Sequence, residues 1–160
     1  MTLTPNKEKP RLLIIDDDES IRDMLTLMLD DEGFNVDTAK DGKEAITKSY
    51  SKIYNLAIVD WRLPDIDGTN LLPLLKSTTP RMAKIMLTGF PSAKNVMDAS
   101  KNGADAFLVK PVEPPILLKK IEELLRKQKE TRKTSEEISE FTVTKARELL
   151  EEKSFMNTGI

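Results

Sequence analysis

Four short, nearly continuous apolar runs limit the folds open to this chain: Leu12-Leu13-Ile14-Ile15, Leu56-Ala57-Ile58-Val59, Ile85-Met86-Leu87 and Ala106-Phe107-Leu108-Val109. Runs this short and without alternation suit strands buried on both faces, the mark of a parallel sheet covered by helices. A fifth segment, Phe34 to Ala39, alternates apolar and polar residues and suits an edge strand. Helical patterns fill the gaps. Ile21, Met24, Leu25, Met28 and Leu29 recur at helical spacing, with Gly33 as a stop. Gly42 to Ser49 is a weaker helix. Leu71, Leu72, Leu74 and Leu75 carry another, interrupted by Pro73. Ser92 can cap a helix running to Asn102, with Gly103 closing it, and Pro114-Pro115 open a last helix through Leu125.

Five βα units in series, joined by right-handed crossovers, give an α/β fold of the doubly wound type. For five parallel strands at this length, the order 2-1-3-4-5 is natural. Strands 1 and 3 are then neighbours at the topological switch. Ligands of such sheets bind in the crevice beyond the carboxyl ends of the strands.

Composition removes many kinds of chemistry from that crevice. There is no cysteine and no histidine in 160 residues. Thiolate metal sites, disulfides, Ser-His-Asp catalysis and imidazole acid-base work are excluded. The remaining carboxylates, Lys, Arg, hydroxyls and backbone groups favour a hard cation such as Mg²⁺. With 25 Lys and Arg against 27 Asp and Glu, the net charge of −2 argues against a dedicated nucleic-acid binder. No apolar run approaches the roughly 18 residues of a membrane span, and Met1 to Lys9 does not resemble a signal peptide. The expectation is a cytoplasmic protein with a disordered stretch at 1–10 and no contact with membrane or nucleic acid.

The strand ends carry the chemistry. Strand 1 runs into Asp16-Asp17-Asp18-Glu19, strand 3 into Asp60, strand 4 into Thr88 and strand 5 into Lys110. Packed carboxylates repel unless a cation sits among them, and a divalent ion with oxygen ligands removes the conflict. Lys110 adds a positive charge across the crevice, and Thr88 a hydroxyl. Each feature has an ordinary reading by itself. Asp16 to Glu19 can cap a helix, Thr88-Gly89 can be a turn, and Lys110 can be a solvated lysine. Asp18 and Glu19 are assigned to capping. The rest would have to coincide at four strand ends. Trp61 reads as loop packing and the seven methionines as core filler.

The collinear segments Leu12 to Arg22, Ile58 to Gly68, Met86 to Gly89 and Phe107 to Pro111 resemble the receiver domain of two-component response regulators, over about Arg11 to Gln128. The resemblance implies that Asp60 is the phosphoacceptor, taking a phosphoryl group from a phosphohistidine on a sensor histidine kinase or phosphotransfer protein. It implies that Asp16, Asp17 and Asp60, with the backbone carbonyl of Arg62, hold Mg²⁺. Lys110 would contact one phosphoryl oxygen and Thr88 another. Phe107 would be the aromatic that turns inward when Thr88 moves, and the responding surface would be the fourth helix, fifth strand and fifth helix. That surface would bind a downstream partner or a second copy. The Lys110-Pro111 bond would be cis. Arg62, two past Asp60, and Phe90, two past Thr88, are bulky at positions that modulate hydrolysis, so slow self-dephosphorylation is expected. A receiver accepts one phosphoryl group and is not an enzyme. Two rivals are a Mg²⁺-dependent aspartyl-phosphate phosphohydrolase, opposed by Arg62 where a second Asp is typical, and a phosphorylation-independent interaction domain, opposed by the complete residue set.

Residues 11–130 are assigned to the receiver and 131–160 to a helical tail or linker. Thr134 with Glu137 forms a capping-box pattern. Ile138, Phe141, Ala146, Leu149 and Leu150 fall near one helical stripe, and 157–160 should fray. Such a helix is marginal alone, so a partner surface is expected for it.

Overall fold

A computed structural model describes residues 8–158. Five strands, β1 (Arg11–Ile15), β2 (Asn35–Ala39), β3 (Leu56–Asp60), β4 (Ala83–Thr88) and β5 (Ala106–Val109), form one sheet in the order β2-β1-β3-β4-β5. Every pairing is parallel. The helices are α1 (Glu19–Asp31), α2 (Gly42–Ser51), α3 (Gly68–Leu71), α4 (Ala93–Lys101) and α5 (Pro114–Thr158). The fold expected from the apolar runs is the one observed. Compactness divides the chain into one unit through Leu125 and a second from Arg126 onward.

Side chains of β1 alternate between two cores. Leu12 and Ile14 pack with Leu25 and Leu29 of α1 and with Leu117 and Ile121 of α5. Leu13 and Ile15 pack with Ala45 of α2, Leu71 and Leu72, and Ala99 of α4. Burial on both faces explains why β1 and β3 are apolar without alternation. The β2 edge strand is partly exposed, as its alternation suggests.

Local signals set the helix ends. Asp18 caps α1, its carboxylate accepting from the N–H groups of Ser20 and Ile21. Ser92 caps α4 by accepting from Asn95 N–H. Gly33 and Gly103 follow α1 and α4 at φ of 92° and 104°, where a Cβ would be strained. Pro73 leaves α3 a single turn that tightens to a 3₁₀ turn over Leu72–Leu74.

Met1 to Lys7, most of the stretch expected to be disordered, lie outside the described residues. Pro10 is tied down, its carbonyl accepting from Asn35 N–H at 2.9 Å. The capping box at Thr134 does not start a helix. α5 runs on to Thr158, and Thr134 Oγ1 donates back to the Glu130 carbonyl at 3.0 Å. The reason is that no Gly or Pro stands between Pro115 and Gly159. Without a breaker, an interior Thr bonds the preceding turn instead of capping. In the unit from Arg126 onward, Ile138, Phe141, Val143, Leu149 and Leu150 are exposed.

One part-buried contact pins the β2 edge. Tyr54 Oη donates to Asp37 Oδ2 at 2.7 Å. Burial acts to raise the Asp37 pKa, but the Tyr54 hydrogen bond and the Lys52 charge outweigh it and the net shift is below 3.8. A carboxylate with a depressed folded-state pKa stabilises above its unfolded value, and that contribution is lost as pH falls through the folded one. Tyr54→Phe is therefore expected to cost about 1.5 kcal/mol at pH 7, narrowing below pH 3.8. Urea denaturation across that range checks this; a pH-independent difference would contradict it.

Candidate functional site

The parallel register creates the site. Ile15 pairs with Val59, so the residues that follow, Asp16 and Asp60, emerge side by side at the carboxyl edge of the sheet. Oxygens of Asp16, Asp17 and Asp60 lie within 4.8 Å of one another. Asp16 is 1% exposed and Asp60 6% exposed, so neither charge is solvated. Asp17 is exposed at the rim.

Lys110 closes the cluster from β5. Its Nζ lies 2.9 Å from Asp60 Oδ1 and 3.2 Å from Asp16 Oδ2. The Lys110 N–H donates to the Thr88 carbonyl at 2.8 Å, which ties the ends of β4 and β5. The Lys110-Pro111 bond is cis. Thr88 is buried, and its Oγ1 accepts from Phe90 N–H at 3.1 Å. Phe107 lies on β5 opposite Met86 and packs, half-buried, against the second core. The structure thus gathers Asp16, Asp17, Asp60 and Lys110, with Thr88 at the end of β4 and Phe107 on the neighbouring β5.

Burial pushes the Asp60 pKa above its ordinary value; the Lys110 hydrogen bond and charge oppose this, and the Asp16 and Asp17 charges add to it. For Lys110 burial favours loss of charge, but the bonds and charges of Asp60 and Asp16 reverse this and hold the ammonium more firmly than usual. One ammonium facing three carboxylates leaves the pocket short of positive charge. Hard oxygen donors, two of them shielded from water, fit a small divalent cation such as Mg²⁺.

The loop after β3 forms the rim. Trp61 N–H donates to the Leu87 carbonyl at 2.9 Å, and Gly68 N–H to the Trp61 carbonyl at 2.8 Å. A Cβ on Gly68 would stand 2.3 Å from the Asp60 carbonyl oxygen, so only glycine allows this closure. Arg62 bridges to Asp67 through the backbone. Its guanidinium lies over the Phe90 ring, 5.4 Å from the centroid.

Comparison with known proteins agrees with this geometry. The response regulator receiver domain family model matches residues 12–122. The chain belongs to that family. A CheY-like receiver from Methanospirillum hungatei JF-1 is 40% identical with a TM-score of 0.74, covering 78% of this chain and 99% of that one. The beryllofluoride-activated NtrC4 receiver domain dimer is 34% identical with a TM-score of 0.69, covering 74% and 98%. The phosphate regulon transcriptional regulatory protein PhoB of Rhizobium meliloti is 33% identical over 122 residues, 75% of this chain and 54% of the relative. The chain spans about half of that relative's length, and 27% of the transcriptional regulatory protein ZraR of Salmonella typhimurium. Among the described residues no helix is long and apolar enough to cross a membrane.

Two contacts around the receiver's carboxyl edge had no sequence signal. Arg22 Nη1 donates to the Asp16 carbonyl at 2.7 Å, across the first turn of α1. Asp65 reaches from the β3–α3 loop to the N-terminus of α2, a partner 23 residues earlier in the chain.

A carboxyl group with a raised folded-state pKa gives the fold its full support below the unfolded value, and that support is lost as pH rises through the folded one. At neutral pH the Asp60 charge therefore costs stability in the metal-free protein. Asp60→Asn is expected to raise the melting temperature by a few degrees in chelator, and Mg²⁺ to erase the difference. Identical melting of both proteins in both media would contradict this.

Proposed function

We propose that this receiver accepts a phosphoryl group on Asp60 from the phosphohistidine of a sensor histidine kinase or phosphotransfer protein. The observation that carries the reading is the meeting of Asp16, Asp17 and Asp60 with Lys110 at one buried edge of the sheet. In the transfer an Asp60 carboxylate oxygen attacks phosphorus, the P–N bond breaks, and the imidazole leaves with its electron pair and takes up a proton. Asp60 is assigned as the nucleophile on the receiver family's pattern, and its Oδ1 lies nearer the Lys110 ammonium, 2.9 Å against 3.2 Å for Asp16 Oδ2.

Asp16, Asp17 and Asp60, with the Arg62 carbonyl, would hold Mg²⁺. When bound, the ion offsets the negative charge shared by the carboxylates and the incoming phosphoryl oxygens. Lys110 holds one phosphoryl oxygen by its ammonium, and Thr88 donates its hydroxyl to another. Its Oγ1 accepts from Phe90 N–H, which leaves the O–H free to donate, and the side chain would move toward the phosphoryl oxygen. That shift opens space for Phe107 and changes the face formed by α4, β5 and α5. Each chain takes up a single phosphoryl group rather than turning over a substrate. The output is a partner protein or a second copy, at that face or along the exposed apolar stripe of residues 131–160, with 11–130 as the receiver and a cytoplasmic setting.

Arg62 and Phe90 bear on how long the phosphoryl group lasts. Their cation–π contact spans the loops after β3 and β4, and the joined bulk is proposed to hinder the approach of water to a phosphoryl group on Asp60. Slow hydrolysis follows, with an acyl-phosphate lifetime well beyond seconds. Phe90→Ala should shorten it several-fold, measured by loss of label after donor removal; an unchanged lifetime contradicts this.

The proposed function is tested with acetyl phosphate and Mg²⁺, reading intact mass. One phosphoryl group per chain is expected, absent in Asp60→Asn and in chelator. Uptake by Asp60→Asn at the wild-type level would overturn the assignment.

A further inference from the structure

The loop that carries the Arg62 carbonyl, Trp61 to Asp67, must be held still for that oxygen to serve a metal ion. Its base is closed by the Gly68–Trp61 hydrogen bond and the Arg62–Asp67 bridge. Its far end is held by a different element. Asp65 Oδ1 accepts from Gly42 N–H and Oδ2 from Lys43 N–H, both at 2.9 Å. Both oxygens of one carboxylate are thus used on the first turn of α2, where the N–H groups and the helix dipole favour negative charge. These backbone hydrogen bonds, Gly42 foremost, hold the Asp65 carboxyl below its ordinary value although the side chain is on the surface.

The fit is close because residue 42 has no side chain. A Cβ on Gly42 would stand 2.3 Å from Ile66 Cγ2 and 3.3 Å from Asp65 Oδ1. Ile66 itself packs on the second core with Trp61 and Leu63. α2 does not depend on Asp65 alone for its start. Asp41 is its own N-cap, accepting from Glu44 N–H at 2.8 Å. Helix capping by Asp41 and loop attachment by Asp65 are therefore separable.

We infer that Asp65 is a positioning residue for the metal site: by gripping the N-terminus of α2 it fixes the loop that presents the Arg62 carbonyl. This inference rests on the proposed Mg²⁺ site and adds to it the device that preorganises one ligand. Groups that orient metal ligands without touching the ion set affinity in the same way as outer-sphere hydrogen bonds do.

Trp61, the only tryptophan in the chain, adjoins Asp60 and reports on this loop. Mg²⁺ titration of the full chain, read by Trp61 fluorescence, is the experiment. Asp65→Ala should weaken Mg²⁺ binding by about tenfold, and Asp65→Asn, which keeps one acceptor oxygen, by less. Asp41→Ala removes a cap from the same helix without touching the loop and should stay within about twofold of wild type, whatever it costs in stability. Should Asp65→Ala not fold, Asp65→Asn against Asp41→Ala decides. Wild-type affinity in the Asp65 variants, or equal losses in the Asp65 and Asp41 variants, overturns the positioning role. Absence of any Mg²⁺ response in the wild-type chain overturns the metal site itself, which is a distinct outcome.

Discussion

The mutual repulsion of three carboxylates is the constraint around which this protein is built. Left to themselves, Asp16, Asp17 and Asp60 would move apart into water. Two strands buried on both faces prevent it, because Asp16 and Asp60 extend β1 and β3 from paired positions. Moving either one would pull Leu13, Ile15, Val59 or their neighbours out of the core, at about 1.5–3 kcal/mol for each large apolar side chain exposed. The sheet thus spends packing energy to keep like charges together, and Lys110 offsets only part of the repulsion. A pocket in that condition is short of positive charge and could hold a cation.

Much of this was legible in the chain itself. Continuous apolar runs at β1 and β3 belong to strands covered on both sides, and the alternation in β2 belongs to an edge. Strand order follows from parallel pairing and handedness, so the sequence alone sets the carboxylates at the ends of β1 and β3 side by side. Asp18, Ser92, Gly33 and Gly103 marked helix ends because capping is a local matter, decided within three or four residues. Lys110 and Thr88 were legible for the same topological reason: each directly follows or ends an apolar run.

What the chain concealed depended on contacts between distant segments or on the lack of a signal. Nothing near Asp65 points to Gly42 and Lys43, since a loop aspartate between Pro64 and Ile66 looks like turn chemistry. The Arg62–Phe90 contact joins two loops whose relative approach is set by the sheet. Thr134 and Glu137 carry the letters of a capping box, yet a capping residue starts a helix only where the chain before it is not helical. Residues 116–133 hold no breaker, so the helix passes straight through. The apolar residues at Ile138, Phe141, Leu149 and Leu150 do fall on the helix, and they are exposed there.

The most direct measurement is a crystal structure with Mg²⁺ and beryllofluoride. A metal ion held by Asp16, Asp17, Asp60 and the Arg62 carbonyl is expected, with the beryllium on a carboxylate oxygen of Asp60 and its fluorines facing Lys110 and Thr88. Beryllium on another carboxylate, or a metal ion seated away from the ends of β1 and β3, would contradict it.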